Sequence, residues 1–305
     1  MAPIQKVWMD GRLVDYDQAN VHIMTHCLHY GGGVFEGIRI YETGKGRAIF
    51  RLREHMARFL ASAKVISLKI PYSLDELCQA VKDTAKANAG VQVDYIRPLA
   101  YYGTGTYGLN PAKLPTNVAI AAVYMGVYLG EEQMQKGAKL ITSSWEKPSN
   151  RAAALNAKIC GNYINSVMAR LEAMNKGADE ALMLNSEGNV AEGTGENIFM
   201  VRGGKLFTPP LSSGILEGIT RDSIMQIAMD MDIPVTEREI TRSELFVADE
   251  VFMTGTAAEV QAIHSIDSQV IGAGRPGPVT LKLQKAFREA ARGQNHQYAH
   301  WLDLI

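Results

Sequence analysis

The sequence predicts an α+β chain in two halves, and two observations carry that expectation. Its 305 residues exceed the ~100–200 that a single core organises, so two domains are expected. Short strand-like runs bounded by glycine turns also outnumber what a regular β-helix-β alternation would supply, which argues against a doubly wound sheet. The hydrophobic fraction of 47% and the charged fraction of 21% are ordinary for a globular protein. A net charge of -1, with no long basic block, argues against nucleic acid as the main partner, because phosphate-backbone binding needs clustered positive charge. A small anionic ligand, which a few arginines would serve, stays open.

Cys27, Cys78 and Cys160 show no C-x-x-C spacing and cannot all pair, so they read as free thiols in a reducing compartment. The opening Met-Ala-Pro-Ile-Gln-Lys lacks the apolar run of a signal peptide, and no stretch of ~18 apolar residues is present to span a bilayer. A soluble cytoplasmic protein with no membrane partner is the expectation.

The elements follow in order. Lys6 to Met9 and Arg12 to Val14 flank Asp10-Gly11, the dipeptide of a primed hairpin turn. Val34 to Tyr41 reads as one strand after Gly31-Gly32-Gly33. From Arg53 to about Ser67, Met56, Phe59, Leu60 and Ala63 fall at helical spacing, with Arg53, Arg58 and Lys64 on the polar face. A second helix opens on the capping box of Ser73 and Glu76 and stops at Gly90. Strands at Val93 to Tyr102 and Val118 to Tyr124 complete a domain over 1–125. Residues 126–137 read as a linker, and 138–305 as the larger domain. There Lys139 to Ser143 reads as a strand. Asn162 to Lys176 reads as a helix with Ile164, Val167, Met168 and Leu171 inward. Short strands flank a turn at Asn185–Asn189 and a hairpin at Arg202–Lys205, and helices recur after Thr220, Ser243 and Pro278.

Two patterns imitate function. Gly103-Thr-Gly105-Thr-Tyr-Gly108 has the spacing of a dinucleotide loop, but Pro111 and Pro115 forbid the helix whose N-terminus would hold the pyrophosphate. His22, His26, Cys27 and His29 lack a carboxylate to complete a metal set, so no metal is expected.

Three segments point to chemistry. In Leu155-Asn-Ala-Lys158-Ile-Cys-Gly161-Asn-Tyr163 a lysine sits among small and apolar residues just before a helix, where desolvation would lower its pKa and free its lone pair. A plain surface lysine is the alternative from this segment alone. Ala191-Glu192-Gly193-Thr194-Gly195-Glu196-Asn197 puts a carboxylate in a glycine-rich loop that can approach a flat ligand closely. Pyridoxal phosphate needs such an acid beside its ring nitrogen. Leu216-Glu217-Gly218-Ile219-Thr220-Arg221 opens a helix with free N–H groups and a hydroxyl, which suits phosphate or a plain helix cap equally.

Together these segments resemble the branched-chain aminotransferases, class IV (fold type IV) pyridoxal-phosphate enzymes, over nearly the whole chain. The matching blocks are LHYGGGVFEGIR (28–39), FRLREHMARF (50–59), YIRPLAYYG (95–103), AKICGNY (157–163), AEGTGENIF (191–199), LEGITRDS (216–223) and ADEVFMTGTAAEV (248–260). The resemblance implies a smaller N-terminal α/β domain, a larger β-barrel-like domain with helices, and pyridoxal 5'-phosphate at the domain interface. It implies transfer of the amino group of leucine, isoleucine or valine to 2-oxoglutarate by a ping-pong route, giving glutamate.

Residue by residue, Lys158 matches the lysine that carries the cofactor and moves the substrate proton. Glu192 matches the partner of the ring nitrogen and Tyr163 that of the phenolate oxygen. Arg58, Ile219, Thr220 and Thr256 match the phosphate contacts. Thr256 and Ala257, helped by Tyr95 and Arg97, match the receptor of the α-carboxylate, and Arg97 also the contact for the distal carboxylate of glutamate. Tyr30, Phe35, Gly37, Tyr128 and Tyr163 match the side-chain pocket. Tyr30 and the loop Gly103–Leu109 are expected from a neighbouring subunit, so a homodimer is implied as the minimal active unit.

The chain departs from the pattern at Met125, where many relatives carry tryptophan, and at Gly31-Gly32-Gly33, where Gly-Thr-Ser is usual. Tyr101, Tyr102 and Tyr107 enrich the loop in aromatics. These differences bear on substrate breadth, toward aromatic amino acids or primary amines. The rivals are a D-amino-acid or (R)-amine transaminase or an aminodeoxychorismate lyase of the same fold, a non-catalytic ligand-binding protein, and a nicotinamide-dependent enzyme.

Overall fold

The structure is a computed structural model that describes residues 5–106 and 108–305. Tyr107 and the opening Met-Ala-Pro-Ile lie outside the described residues. The chain divides into two compact units. The first takes Met1–Gly126, Ala157–Asn162 and Ala290–Ile305, and the second Val127–Asn156 and Tyr163–Glu289. The expected division at 1–125, 126–137 and 138–305 follows the chain, whereas compactness returns the short segment around Lys158 and the C-terminal residues to the first unit.

In the first unit, β1 (Lys6–Met9) and β2 (Arg12–Asp15) form the expected hairpin. Asp10 and Gly11 take left-handed φ values of 47° and 95° at its turn, as the primed type requires. The sheet is completed by β3 (Gly33–Phe35), β4 (Ile38–Thr43), β5 (Gly46–Phe50), β6 (Tyr95–Tyr102), β7 (Thr116–Val123) and the C-terminal strand Leu302–Leu304. Its order is the C-terminal strand, β5, β4, β6, β7, β1, β2, with β3 beside β6, and the pairings are antiparallel. Period-2 alternation buries Val118, Ile120 and Ala122 of β7 on one face.

The α-helices described in this unit are α1 (His26–Tyr30), α2 (Leu52–Val65) and α3 (Leu74–Ala87). Leu52, Met56, Phe59 and Ala63 form the buried stripe of α2, and α3 starts on the full Ser73–Glu76 capping box. It ends at Ala87 instead of Gly90, because the Asn88 side chain turns away to accept from Gln5 N and Lys6 N and to donate to Lys6 O.

Two expectations need correction here. Val34 to Tyr41 is not one strand. It breaks at Glu36-Gly37, where the Glu36 carboxylate leaves the sheet for a buried cluster. Arg58 does not stand on the solvent face of α2: its side chain is 14% exposed and bonded to fully buried Glu36.

The second unit contains β8 (Ala138–Thr142), β9 (Glu180–Leu184), β10 (Val190–Glu192), β11 (Asn197–Arg202), β12 (Lys205–Thr208), β13 (Val235–Glu237), β14 (Glu250–Gly255), β15 (Glu259–Ile266) and β16 (Gln269–Val270). They form one mixed sheet in the order β10, β9, β8, β15, β14, β11, β12, β13, with β16 beside β15. Val190 N donates to Ile240 O at 2.8 Å and Asn189 bridges Thr241, so edge strand β10 meets the chain just beyond the opposite edge, β13. The sheet thus curls back on itself, barrel-like. Alternate residues Leu140, Leu182, Val190, Ile198, Met200, Val251, Met253 and Ile263 form one core cluster. On the other face Phe199 and Phe252 stack at 5.0 Å.

The helices are α4 (Glu131–Lys136), α5 (Tyr163–Asn175), α6 (Ile219–Asp230), α7 (Arg242–Phe246) and α8 (Pro278–Ala291). In α5 the expected inward face is wrong. Ile164, Val167 and Leu171 are exposed, and Ser166, Ala169 and Ala173 are buried. Small residues let the helix lie against Ala178, Ala181 and Met183, leaving its larger apolar side chains outward. Among the described residues no helix is long and apolar enough to cross a membrane.

This packing makes Ala173, with no exposure, intolerant of bulk. Ala173→Leu should destabilise the protein by about 1–3 kcal/mol through overpacking, read as a lowered urea midpoint at unchanged slope.

Candidate active site

In the first unit, Lys158 lies on a six-residue segment, Ala157–Asn162, that joins the sheet from outside its main run of strands. Lys158 N donates to Ser62 Oγ of α2 at 2.9 Å, and Phe35 N donates to Lys158 O at 3.1 Å. Ile159 bridges Val34, and Gly161 N donates to Gly31 O at 3.1 Å. Gly31 is required there: its φ is 68°, and a Cβ would stand 2.7 Å from Gly161 Cα.

The Lys158 side chain is half-buried, with its Nζ 4.8 Å from the Phe35 ring centroid. Burial, reinforced by the Arg58 charge and opposed by Glu36, lowers the amine to about 8. Arg97 lies over the rings of Phe35 and Tyr95, at 5.1 and 5.4 Å, and its Nη2 is 3.4 Å from the Tyr95 hydroxyl. That hydroxyl occupies the space of a side chain at Gly37, where a Cβ would meet it at 1.8 Å. The first unit therefore gathers Lys158, Arg58, Phe35, Gly37, Tyr95 and Arg97. Tyr30 is exposed on α1, 4.8 Å from His26.

In the second unit, Glu192 ends β10 and is 6% exposed. Its Oε1 pairs with Lys147 Nζ at 2.7 Å, and its Oε2 accepts from Asn197 Nδ2 and Leu216 N, each at 3.1 Å. Asn197 Nδ2 also donates to Leu216 O at 2.9 Å, which ties the glycine-rich loop to the start of α6. A Cβ on Gly218 would stand 1.9 Å from Asn197 Oδ1. Gly218 caps α6 without a side-chain bond, and Ile219 and Thr220 open the helix at its positive end. Asn197 pairs in register with Thr254, two residues before Thr256. Thr256 and Ala257 are half-buried in the turn that joins β14 to β15. Tyr163 starts α5, and Tyr128 receives the Arg170 guanidinium over its ring at 5.8 Å.

Two more buried carboxylates belong to this region, Glu180 on β9 and Glu196 within the loop itself. Glu180 pairs with Arg170 and accepts from Thr194 Oγ1 at 2.7 Å. Burial and the neighbouring Glu180 push Glu196 up to about 8, and burial raises Glu180 as well. A separate recess of about 750 Å³, lined by Asp249, Glu250, Arg275 and Pro278 among others, contains none of these residues.

Sequence reasoning missed Glu36, His55 and Ser62 in the first unit, and Lys147, Asn197 and Glu180 in the second. A signal existed for two. Glu36 is an acid inside an apolar strand-like run, and Asn197 closes the glycine-rich loop. Lys147 and Glu180 have no local signature, since their partners lie far along the chain.

Residues 33–266 match the family model described as amino-transferase class IV. A branched-chain-amino-acid aminotransferase of Pseudomonas aeruginosa is 46% identical over 299 residues, covering 98% of this chain and 97% of its own. A solved T.th. branched-chain amino acid aminotransferase with pyridoxamine 5'-phosphate is 48% identical, with 99% of each chain covered and a TM-score of 0.95. The same T.th. protein complexed with N-(5'-phosphopyridoxyl)-L-glutamate is 46% identical, with 99% of each chain covered and a TM-score of 0.94.

The lowered amine gives a direct test. Lys158 is mostly protonated at pH 7 and loses its proton as the pH rises through about 8, well below an ordinary lysine. Its condensation with a small aldehyde, trapped by borohydride and read by mass spectrometry, should rise with a midpoint near that value. Arg58→Met removes a charge that disfavours the ammonium, so the midpoint should move up.

Proposed function

The chain belongs to the class IV aminotransferase family, and from that premise we propose that it transfers the amino group of leucine, isoleucine or valine to 2-oxoglutarate. The observation that carries this reading is Lys158. Its amine is lowered to about 8 and lies over the Phe35 ring on a segment bonded to α2 and β3. The relatives named above are branched-chain aminotransferases at 46% and 48% identity.

The donor set fits pyridoxal 5'-phosphate. It offers a weakly basic amine, an arginine, a helix start capped by glycine and a buried carboxylate, and Gly218 leaves room for the Asn197 amide that holds that carboxylate. When bound, that cofactor supplies an electron sink for the pair left behind when the substrate α-proton departs. Lys158 would hold the cofactor through Nζ, and its amine would move the substrate α-proton. Glu192 would partner the ring nitrogen, its own oxygens held by Lys147, Asn197 and Leu216 N. Tyr163 would donate to the phenolate oxygen. Arg58, the first N–H groups of α6 at Ile219 and Thr220, and Thr256 would receive the phosphate.

Thr256 and Ala257, with Tyr95 and Arg97, receive the substrate α-carboxylate. Phe35, Gly37, Tyr30, Tyr128 and Tyr163 are the residues proposed to accept its side chain. Arg97 rests on the Phe35 and Tyr95 rings, so its cation can meet the distal carboxylate of glutamate while its flat face accompanies an apolar side chain. We further propose a homodimer in the cytoplasm, built from domains at 1–125 and 138–305 joined through 126–137. Exposed Ile164, Val167, Leu171 and Met174, spaced along one stripe of α5, are the kind of surface a second copy covers. The free thiols suit a reducing compartment.

The test is the visible spectrum of the purified protein with added pyridoxal phosphate. The long-wavelength band should fade on adding L-leucine, return with 2-oxoglutarate, and be absent in Lys158→Ala, whose turnover should fall by about 10²–10⁴-fold or more. A band that ignores L-leucine but answers D-alanine or an (R)-amine would replace the substrate reading by the nearest rival. Arg97→Met separates the two half-reactions. It should raise KM for 2-oxoglutarate about 10–100-fold more than KM for 4-methyl-2-oxopentanoate, the worth of a charged hydrogen bond, because both acids lose a contact to the α-carboxylate and only the first also loses one to the distal carboxylate.

A further inference from the structure

The most deeply buried acid of the first unit has no part in the reaction as described. Glu36 is 0% exposed at the break between β3 and β4. Its Oε1 accepts from Arg58 Nε at 2.6 Å and its Oε2 from Arg58 Nη2 at 2.9 Å, a two-point grip on one edge of the guanidinium. Oε2 also shares a hydrogen bond with His55 Nδ1 at 2.7 Å and accepts from Gly37 N at 3.2 Å. His55 and Arg58 are three apart on α2 and share a face, and Ser62, one turn beyond, receives Lys158 N. One helix face therefore sets both the arginine and the main chain of the reactive lysine.

We propose that Glu36 is a positioning residue: it fixes the plane of the Arg58 guanidinium for the cofactor phosphate, and His55 locks the carboxylate in turn. The proposal rests on the reading of Arg58 as a phosphate contact. An arginine has five N–H donors in one rigid plane, at the end of a long and otherwise mobile stem. A carboxylate gripping one edge sets where the remaining donors point before any anion arrives, which removes an ordering cost from binding. Charge alone would argue for the opposite design. A negative group beside a phosphate-binding cation weakens its attraction for the anion, so the contribution left to Glu36 is orientation. Exposure agrees, since the acid is sealed while the Arg58 side chain keeps 14% of its surface.

The experiment compares the affinity of the full-length apoprotein for pyridoxal phosphate with that for pyridoxal, which lacks the phosphate. Glu36→Gln keeps the shape but can no longer accept from both nitrogens. It should lower the ratio of the two affinities about tenfold, move the ³¹P resonance of the bound cofactor, and have no further effect on the ratio in an Arg58→Ala background. Equal weakening of both ligands, or an unchanged ratio, would overturn the proposal by showing that Glu36 only supports the fold or does nothing. If Arg58→Ala lowers the ratio while Glu36→Gln does not, the phosphate reading stands and the positioning role falls. If Arg58→Ala leaves the ratio unchanged, both fall. Should Glu36→Gln fail to fold, Glu36→Asp keeps the charge with a shorter reach, and the same ratio decides, with a smaller drop expected.

Discussion

The constraint on which the first unit's chemistry depends is that a lysine must be held in a half-buried place while its ammonium form is disfavoured. The chain meets it through the backbone. Lys158 N and O are both bonded, to Ser62 Oγ and Phe35 N, and the neighbouring residues are tied to Val34 and Gly31. With the main chain fixed, the side chain starts from a set direction, and it rests over the Phe35 ring. An aspartate gripping the amine would hold it equally well but would stabilise the ammonium. Burial and the Arg58 charge act the other way.

The acids follow a complementary logic. Glu36, Glu192 and Glu180 are each buried and each has a cation, respectively Arg58, Lys147 and Arg170. For Glu36 the desolvation that would raise its pKa is overcome by Arg58 and His55, so the carboxyl is held well below the usual range. Desolvation is also the largest influence on His55, and it lowers that pKa in spite of Glu36. The cluster therefore settles as one carboxylate, one guanidinium and a neutral imidazole. Glu196 is the exception that completes the pattern. Burial and the Glu180 charge raise it, Arg170 offsets only part of that, and burial raises Glu180 too, so the surplus negative charge favours a proton held by the pair.

Much of this was legible in the sequence, for identifiable reasons. The α+β class, the Asp10-Gly11 hairpin and the Ser73 capping box depend on local chemistry, and local chemistry is what a single sequence displays. The break at Glu36-Gly37 was not legible, because β-branched and aromatic neighbours make Val34 to Tyr41 look continuous. Only the distant His55 and Arg58 explain why the carboxylate leaves the sheet. The inward face of α5 was misassigned for a related reason. Periodicity marks the stripe with the larger apolar residues, and it cannot say that Ala169 and Ala173 face the sheet while Ile164 and Leu171 do not. An apolar stripe identifies a face that water disfavours, not what covers it.

The glycines show the same division between what one position displays and what geometry adds. Gly11 could be read directly, because an Asp-Gly pair in a hairpin requires left-handed torsion angles. Gly37 and Gly218 need no unusual torsion. Each is glycine because another side chain, the Tyr95 hydroxyl in one unit and the Asn197 amide in the other, occupies the place of its Cβ. These are the residues through which Arg97 meets Tyr95 and Glu192 is joined to α6. Substitution there would displace a polar group that orients its neighbours, with little change in the backbone's own preferences. The glycines that matter most to the chemistry are thus the ones whose reason lies in a partner distant in sequence, and motif spacing could mark their positions without saying why.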